Sequence, residues 1–167
     1  MSADEASFEE FFRSVRPSLT GQAWLMTGDL AEAHDLVQET LCRAWANWDR
    51  LQSYDQPAAW ARKVLRNLVI GRWRRAKRQR RADFIAGRTD VVTEPVSGHL
   101  DVVAALNALP MKQRQAIVLR DFAGLSVAEI ASELGAPEGT VKSWLSRGRA
   151  VVAEQLRLRE VLDRGGN

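Results

Sequence analysis

The chain is poor in the residue types on which most enzymes and secreted proteins depend. It has one cysteine, Cys42, and two histidines among 167 residues. A single thiol excludes an internal disulfide, and because Cys42 lies in an apolar-periodic stretch it is read as a buried thiol in a reducing compartment. His34 and His99 are isolated, no glycine-rich phosphate loop is present and no paired metal-ligand spacing occurs. No catalytic residue, no metal and no cofactor are therefore expected, nor is enzymatic activity. Long apolar runs are missing as well: nothing approaches the roughly 20 residues that span a bilayer, and the opening MSADEASFEE is acidic, unlike a signal peptide. Both point to the cytoplasm. The last absence is local: between Pro57 and Arg81 there is no acidic side chain against ten lysines and arginines, whereas residues 1–56 carry ten acidic and four basic ones.

A block of like charge is commonly a solvated face. Here Trp60, Val64, Leu65, Leu68, Val69 and Trp73 thread the block at helical spacing, which predicts a helix over about 58–78 with one buried side, entered at Pro57. Ten uncompensated cations on a folded surface favour a polyanion, most simply a phosphate backbone.

Ahead of this helix, Phe8, Phe11, Phe12, Val15 and Leu19 form a stripe that runs through Trp24 and Leu25 to Gly28, a first helix or helix pair. Asp29 with Glu32 resembles a capping box, after which Ala33, Leu36, Val37, Thr40, Leu41, Ala44, Trp45 and Trp48 keep one face apolar. Trp45 and Trp48 are read as core. From 82 to 98 the periodicity fails and glycine, proline and serine punctuate the chain, the composition of a linker. Beyond it, Leu100, Val103, Ala104 and Leu106 predict a helix stopped before Pro110, and Ile117, Val118, Leu119 and Phe122 another stopped at Gly124. The expected fold is all-α: two small helical bundles joined by a flexible linker, the second ending in a helix-turn-helix.

That last motif, SVAEIASELGAPEGTVKSWLSRGR from Ser126 to Arg149, has a chemical role for every position. Ser126 and Glu129 have capping-box spacing, Ile130, Ala131 and Leu134 face inward, and Gly135 permits a left-handed turn residue. Pro137 suits the first position of the next helix, where Val141, Trp144 and Leu145 turn inward and Lys142, Ser143, Ser146, Arg147 and Arg149 fall mostly on the other side. An apolar back with a Lys/Ser/Arg front fits a B-DNA major groove. An ordinary helical hairpin with a solvated basic face is the plainer alternative.

In order and spacing, AEAHDLVQETLCRAWANWDRL (Ala31 to Leu51), AWARKVLRNLVIGRWRR (Ala59 to Arg75) and ALPMKQRQAIVLRDFAGLSVAEIASELGAPEGTVKSWLSRGR (Ala108 to Arg149) resemble a bacterial sigma factor of the extracytoplasmic function (ECF) type, in the sigma-70 family. The resemblance covers almost the whole chain. It implies that residues 8–81 form region 2, which binds core RNA polymerase and handles the promoter −10 element, that 82–98 are the linker, and that 99–160 form region 4, which reads the −35 element. It places Asp35, Gln38, Glu39 and Arg43, with Trp45 on the same helix, on the polymerase. Asp35, Glu39 and Arg43 also have the i, i+4 spacing of plain surface residues. It places Leu51, Tyr54 and Asn67 around a base flipped from the non-template strand, where pocket and polar partners offset the cost of extrusion, and Arg62, Lys63, Arg66, Arg72, Arg74 and Arg75 on nearby phosphates. In the second region it puts Lys142, Ser143, Ser146 and Arg147 in the groove, with Glu138, Thr140 and Arg149 nearer its edges or backbone. The implied partners are polymerase core, promoter DNA and an anti-sigma factor. A helix-turn-helix regulator that never touches polymerase is the rival reading.

Three positions depart from the family pattern. Trp144 stands where arginine is frequent, as a core plug or an unusual contact; Gly148 stands where alanine is frequent, at an expected cost to the helix of about 1 kcal/mol; and Gly71 stands where an acidic residue is common.

Overall fold

The computed structural model describes residues 2–88 and 100–165, so His99 and residues 89–98 of the expected linker lie outside the described part. Every regular element among the described residues is helical. The chain divides into two compact units: one holds residues up to Ala23 and from Leu30 through the basic helix, and the other holds Trp24–Asp29 and everything from Leu100 onward.

The first unit is built from α1 (Ala3–Thr27) as far as Ala23, α2 (Leu30–Ala46), the single turn α3 (Trp48–Leu51) and α4 (Pro57–Ile85). The amino-terminal stripe forms one helix, with Pro17 inside it. Phe11, Val15, Leu19, Leu36, Val37, Leu41, Trp48, Leu51, Leu65 and Val69 are buried. Aromatic rings close the end of the bundle. Phe11 and Phe8 lie 4.9 and 5.2 Å from Trp48, and the Trp48 indole N–H donates to Ser7 Oγ at 2.9 Å, which satisfies the one polar atom of a buried tryptophan. α4 begins at Pro57 and runs further than expected, over Ala82–Ile85, which the sequence reading gives to the linker.

The second unit contains α5 (Leu100–Asn107), α6 (Met111–Ile117) continued by a wide π turn over Val118–Phe122, α7 (Val127–Leu134) and α8 (Glu138–Gly165). α8 packs against α5, α6 and α7. The α5–α6 corner is tied by Arg114, whose guanidinium donates to Asn107 Oδ1 (2.9 Å), Asn107 O (2.8 Å) and Leu109 O (3.1 Å). Burial lowers the pKa of this guanidinium from its ordinary value, because desolvation disfavours the charged form. The π turn carries the Ala123 N–H to Val118 O, five residues back. It leaves Phe122 exposed, although the sequence reading places it on the buried stripe with Ile117, Val118 and Leu119. A wider turn moves the following side chains off the α-helical phase on which that reading rests.

Candidate nucleic-acid interface

α7 starts as its residues dictate. The Ser126 N–H donates to Glu129 Oε2 at 2.7 Å and the Glu129 N–H donates to Ser126 Oγ at 3.1 Å, a complete capping box. At the other end Gly135 takes the left-handed conformation, φ 61° and ψ 43°, and its N–H bonds to Ala131 O. Pro137 stands just ahead of α8, and its carbonyl accepts from the Thr140 and Val141 amides. Val141, Leu145 and Gly148 are the buried residues of α8. With roughly 100° per residue, Ser143, Ser146 and Arg147 lie opposite them, while Lys142 and Arg149 fall along one flank.

Lys142, Ser146 and Arg147 are exposed; Thr140, Ser143 and Trp144 are half-buried. Trp144 is therefore neither a buried plug nor fully presented. Arg149 is already engaged. Its Nε donates to Asp121 Oδ2 at 3.1 Å and Nη2 to Oδ1, and these hydrogen bonds raise its pKa above the ordinary guanidinium value. Asp121 belongs to the π turn, so this pair joins that turn to the flank of α8 that carries Arg149.

Gly148 has a packing role that the sequence reading misses. A Cβ there would sit 2.7 Å from Ile117 Cδ1 and 3.4 Å from Gln113 Cβ, so the glycine lets α6 approach α8 closely. Only the pairing of two helices 31 positions apart could reveal this.

In the first unit, Asp35 and Gln38 are exposed along the outer face of α2. Glu39 and Arg43 form an ion pair at 2.7 Å, as their spacing allows. Two side chains on this helix lie outside the core expected for them. Cys42 is exposed, because it lies opposite the buried row of Ala33, Val37, Thr40 and Ala44. Trp45 is 47 % exposed; its ring rests on Phe8 at 4.9 Å and covers the core from outside. Cys42 and Trp45 thus share the face of Asp35 and Gln38.

The loop after α3 exposes Tyr54, with the Arg50 guanidinium 5.8 Å from its ring centroid. Asn67, Lys63, Arg74 and Arg75 are exposed on α4, Arg62 is half-buried, and half-exposed Arg72 lies 3.8 Å from Glu32. Leu51 and Arg66 are buried, unlike the expectation for them. Leu51 is 0 % exposed and Arg66 5 %, so neither offers DNA a surface: Leu51 closes the core beneath the loop, and Arg66 falls on the same side of α4 as Leu65 and Val69.

Residues 11–79 match the family Sigma-70 region 2, and residues 99–151 match Sigma-70, region 4. The ECF RNA polymerase sigma factor SigL of Mycobacterium tuberculosis is 40 % identical over 171 residues, covering 96 % of this chain and 93 % of that protein. The ECF RNA polymerase sigma factor EcfG of Rhodopseudomonas palustris is 36 % identical over 144 residues, covering 84 % and 80 %. Among solved structures, the sigma factor RpoE in complex with the anti-sigma factor NepR from Bartonella quintana superposes with a TM-score of 0.73 at 34 % identity, covering 90 % of this chain and 97 % of that one. These similarities favour the polymerase-dependent reading over a regulator that acts alone, and the chain belongs to the ECF group of the sigma-70 family, which binds core RNA polymerase and directs transcription initiation at specific promoters.

Proposed function

We propose that residues 8–81 dock on core polymerase and capture the opened −10 element, that 82–98 link the two halves, and that 99–160 read the −35 element. The observation that carries this reading is the outward row Ser143, Ser146 and Arg147 on α8, opposite a buried face and behind a complete capping box and a left-handed glycine turn. Lys142 and Thr140 flank the row, and Arg149, held by Asp121, positions that edge against the backbone. Arginine and hydroxyl side chains at this spacing can donate to guanine edges and phosphates.

In the first half, Asp35, Gln38, Glu39 and Arg43 form the polymerase face, joined by Trp45 as an exposed aromatic anchor. Tyr54 and Asn67 receive the extruded base, and Lys63, Arg62, Arg74 and Arg75 neutralise phosphates around it. The protein captures opened DNA and carries no catalytic residue. It works in the cytoplasm, and its activity is held in check by an anti-sigma factor, as the RpoE–NepR complex suggests. No helix among the described residues is long and apolar enough to cross a membrane.

Transcription with reconstituted core polymerase on a library of promoter sequences tests the reading. Initiation confined to templates sharing two elements at fixed spacing supports it; tight operator binding with no affinity for core would reject it.

A further inference from the structure

Lys142, Arg147 and Arg149 stand on or beside the outward row of α8, and the structure treats the last of them differently. Among the described residues, Lys142 and Arg147 are exposed and take part in no ion pair. Arg149 is held side-on by Asp121, which stands 28 positions earlier in the chain. This pairing occupies Nε and one hydrogen of Nη2 and leaves Nη1 free to donate. Stability does not account for the pair. The side chains of Arg149 and Asp121 stay 51 % and 43 % exposed, and an ion pair so open to water contributes little to folding. Taking roughly 100° per residue, Arg149 falls within about 20° of Lys142, so Asp121 reaches the flank of α8 that borders the groove-facing row. A carboxylate placed there is repelled by any phosphate backbone laid on the helix, unless a cation covers it.

We propose that Asp121 is a positioning residue for promoter discrimination: it holds Arg149 in one orientation and so withholds this cation from the phosphates of DNA that lacks the −35 element. The inference rests on the −35 reading above and adds to it a source of selectivity that touches no base. A free arginine on a DNA-facing helix finds a phosphate on any sequence, because every duplex carries one negative charge per about 1.7 Å of axis. Arg149 is not free in this sense. It can follow a displaced phosphate only by giving up both hydrogen bonds to Asp121, which leaves that carboxylate facing DNA without its cation. On the matching element α8 seats in a single register, Nη1 reaches its acceptor with the pair intact, and neither bond is lost. Discrimination then comes from a penalty on the wrong sequence, beside the contacts that reward the right one.

The test uses holoenzyme reconstituted from the full chain and core polymerase, with two duplex probes: one bearing the −35 element that the promoter library selects, and one with that element scrambled. For D121N, affinity for the scrambled duplex is expected to rise about two- to five-fold, the range that exposed charge pairs support. Its log–log salt slope should steepen by about 0.9, for one phosphate newly neutralised. Affinity for the selected duplex is expected to gain nothing, so the ratio between the probes narrows. D121E, which keeps the carboxylate, is expected to retain the ratio. In an R149A background D121N is expected to leave the ratio as it stands, because any repulsion it relieves acts on both sequences alike. An unchanged ratio in D121N alone overturns the proposal. So does the same narrowing in the R149A background, which would mean that Asp121 acts without holding Arg149. If the unaltered holoenzyme does not prefer the selected duplex to the scrambled one, the −35 reading itself fails and this proposal with it.

Discussion

Ile117 Cδ1 lies 2.7 Å from where a Cβ on Gly148 would stand. Two opposing effects meet at this point. Alanine favours the helix by about 1 kcal/mol over glycine, but an added methyl forces a buried isoleucine off its rotamer at a cost of about 1 to 3 kcal/mol. Gly148→Ala is expected to gain nothing, and to regain about 1 kcal/mol relative to its background once Ile117→Val removes the obstructing methyl. A double-mutant cycle by urea unfolding measures the coupling; strict additivity would dismiss the close approach as the reason for the glycine.

The two ends of α7 have separable determinants. Ser126→Ala removes one half of the reciprocal bonds and is expected to cost about 1 kcal/mol. Gly135→Ala meets no atom within 4 Å, so its cost, about 1 to 2 kcal/mol, comes from the left-handed backbone alone. Asparagine at 135 should recover part of this stability, and failure to do so would point to a steric cause.

Gln115 is 0 % exposed and neither atom of its amide reaches a protein partner among the described residues. A buried amide without a bond costs about 1 to 3 kcal/mol. Gln115→Met has nearly the same shape and is expected to stabilise the protein by about 1 kcal/mol, read as a higher denaturation midpoint at constant slope. A lower midpoint would mean that the amide is satisfied.

Much of this architecture is legible in the residues because its signals are local. The capping box, the turn glycine, Pro57 at the start of α4 and the stop before Pro110 each depend on a few neighbouring positions. The failures are of another kind. Trp45 is read as continuing the apolar stripe into the core, yet its phase on α2 sets it beside Cys42, outside the buried row. Family position alone puts Leu51 and Arg66 at the DNA, and packing from other helices buries them. Gly148 answers to Ile117, 31 positions away and outside the helix-turn-helix stretch itself.

Arg147→Ala is expected to weaken use of promoters through the −35 element by about 1 to 3 kcal/mol, the range for removing a side chain that bonds a base edge. Transcription from matched templates with and without that element measures it. Equal weakening on both would reassign Arg147 to a phosphate or to structure.

On α2, Asp35→Ala with Gln38→Ala is expected to lower affinity for core polymerase while leaving the unfolding curve unchanged, since both side chains are exposed. Trp45→Ala should weaken core binding further, because a half-exposed aromatic is a frequent binding anchor. Undiminished binding in a competition assay would place the polymerase elsewhere on the bundle.

The row of exposed cations Lys63, Arg74 and Arg75 belongs to one uninterrupted helix, and this makes α4 a multivalent ligand in a single rigid piece. Once one side chain has found its phosphate, the others are held at high effective concentration over theirs, with no intervening loop to order. Removing a cation from the end of such a row raises the rate of release more than it slows arrival. On the function proposed above, the helix would set how long promoter DNA is retained through its phosphate contacts as well as its base contacts.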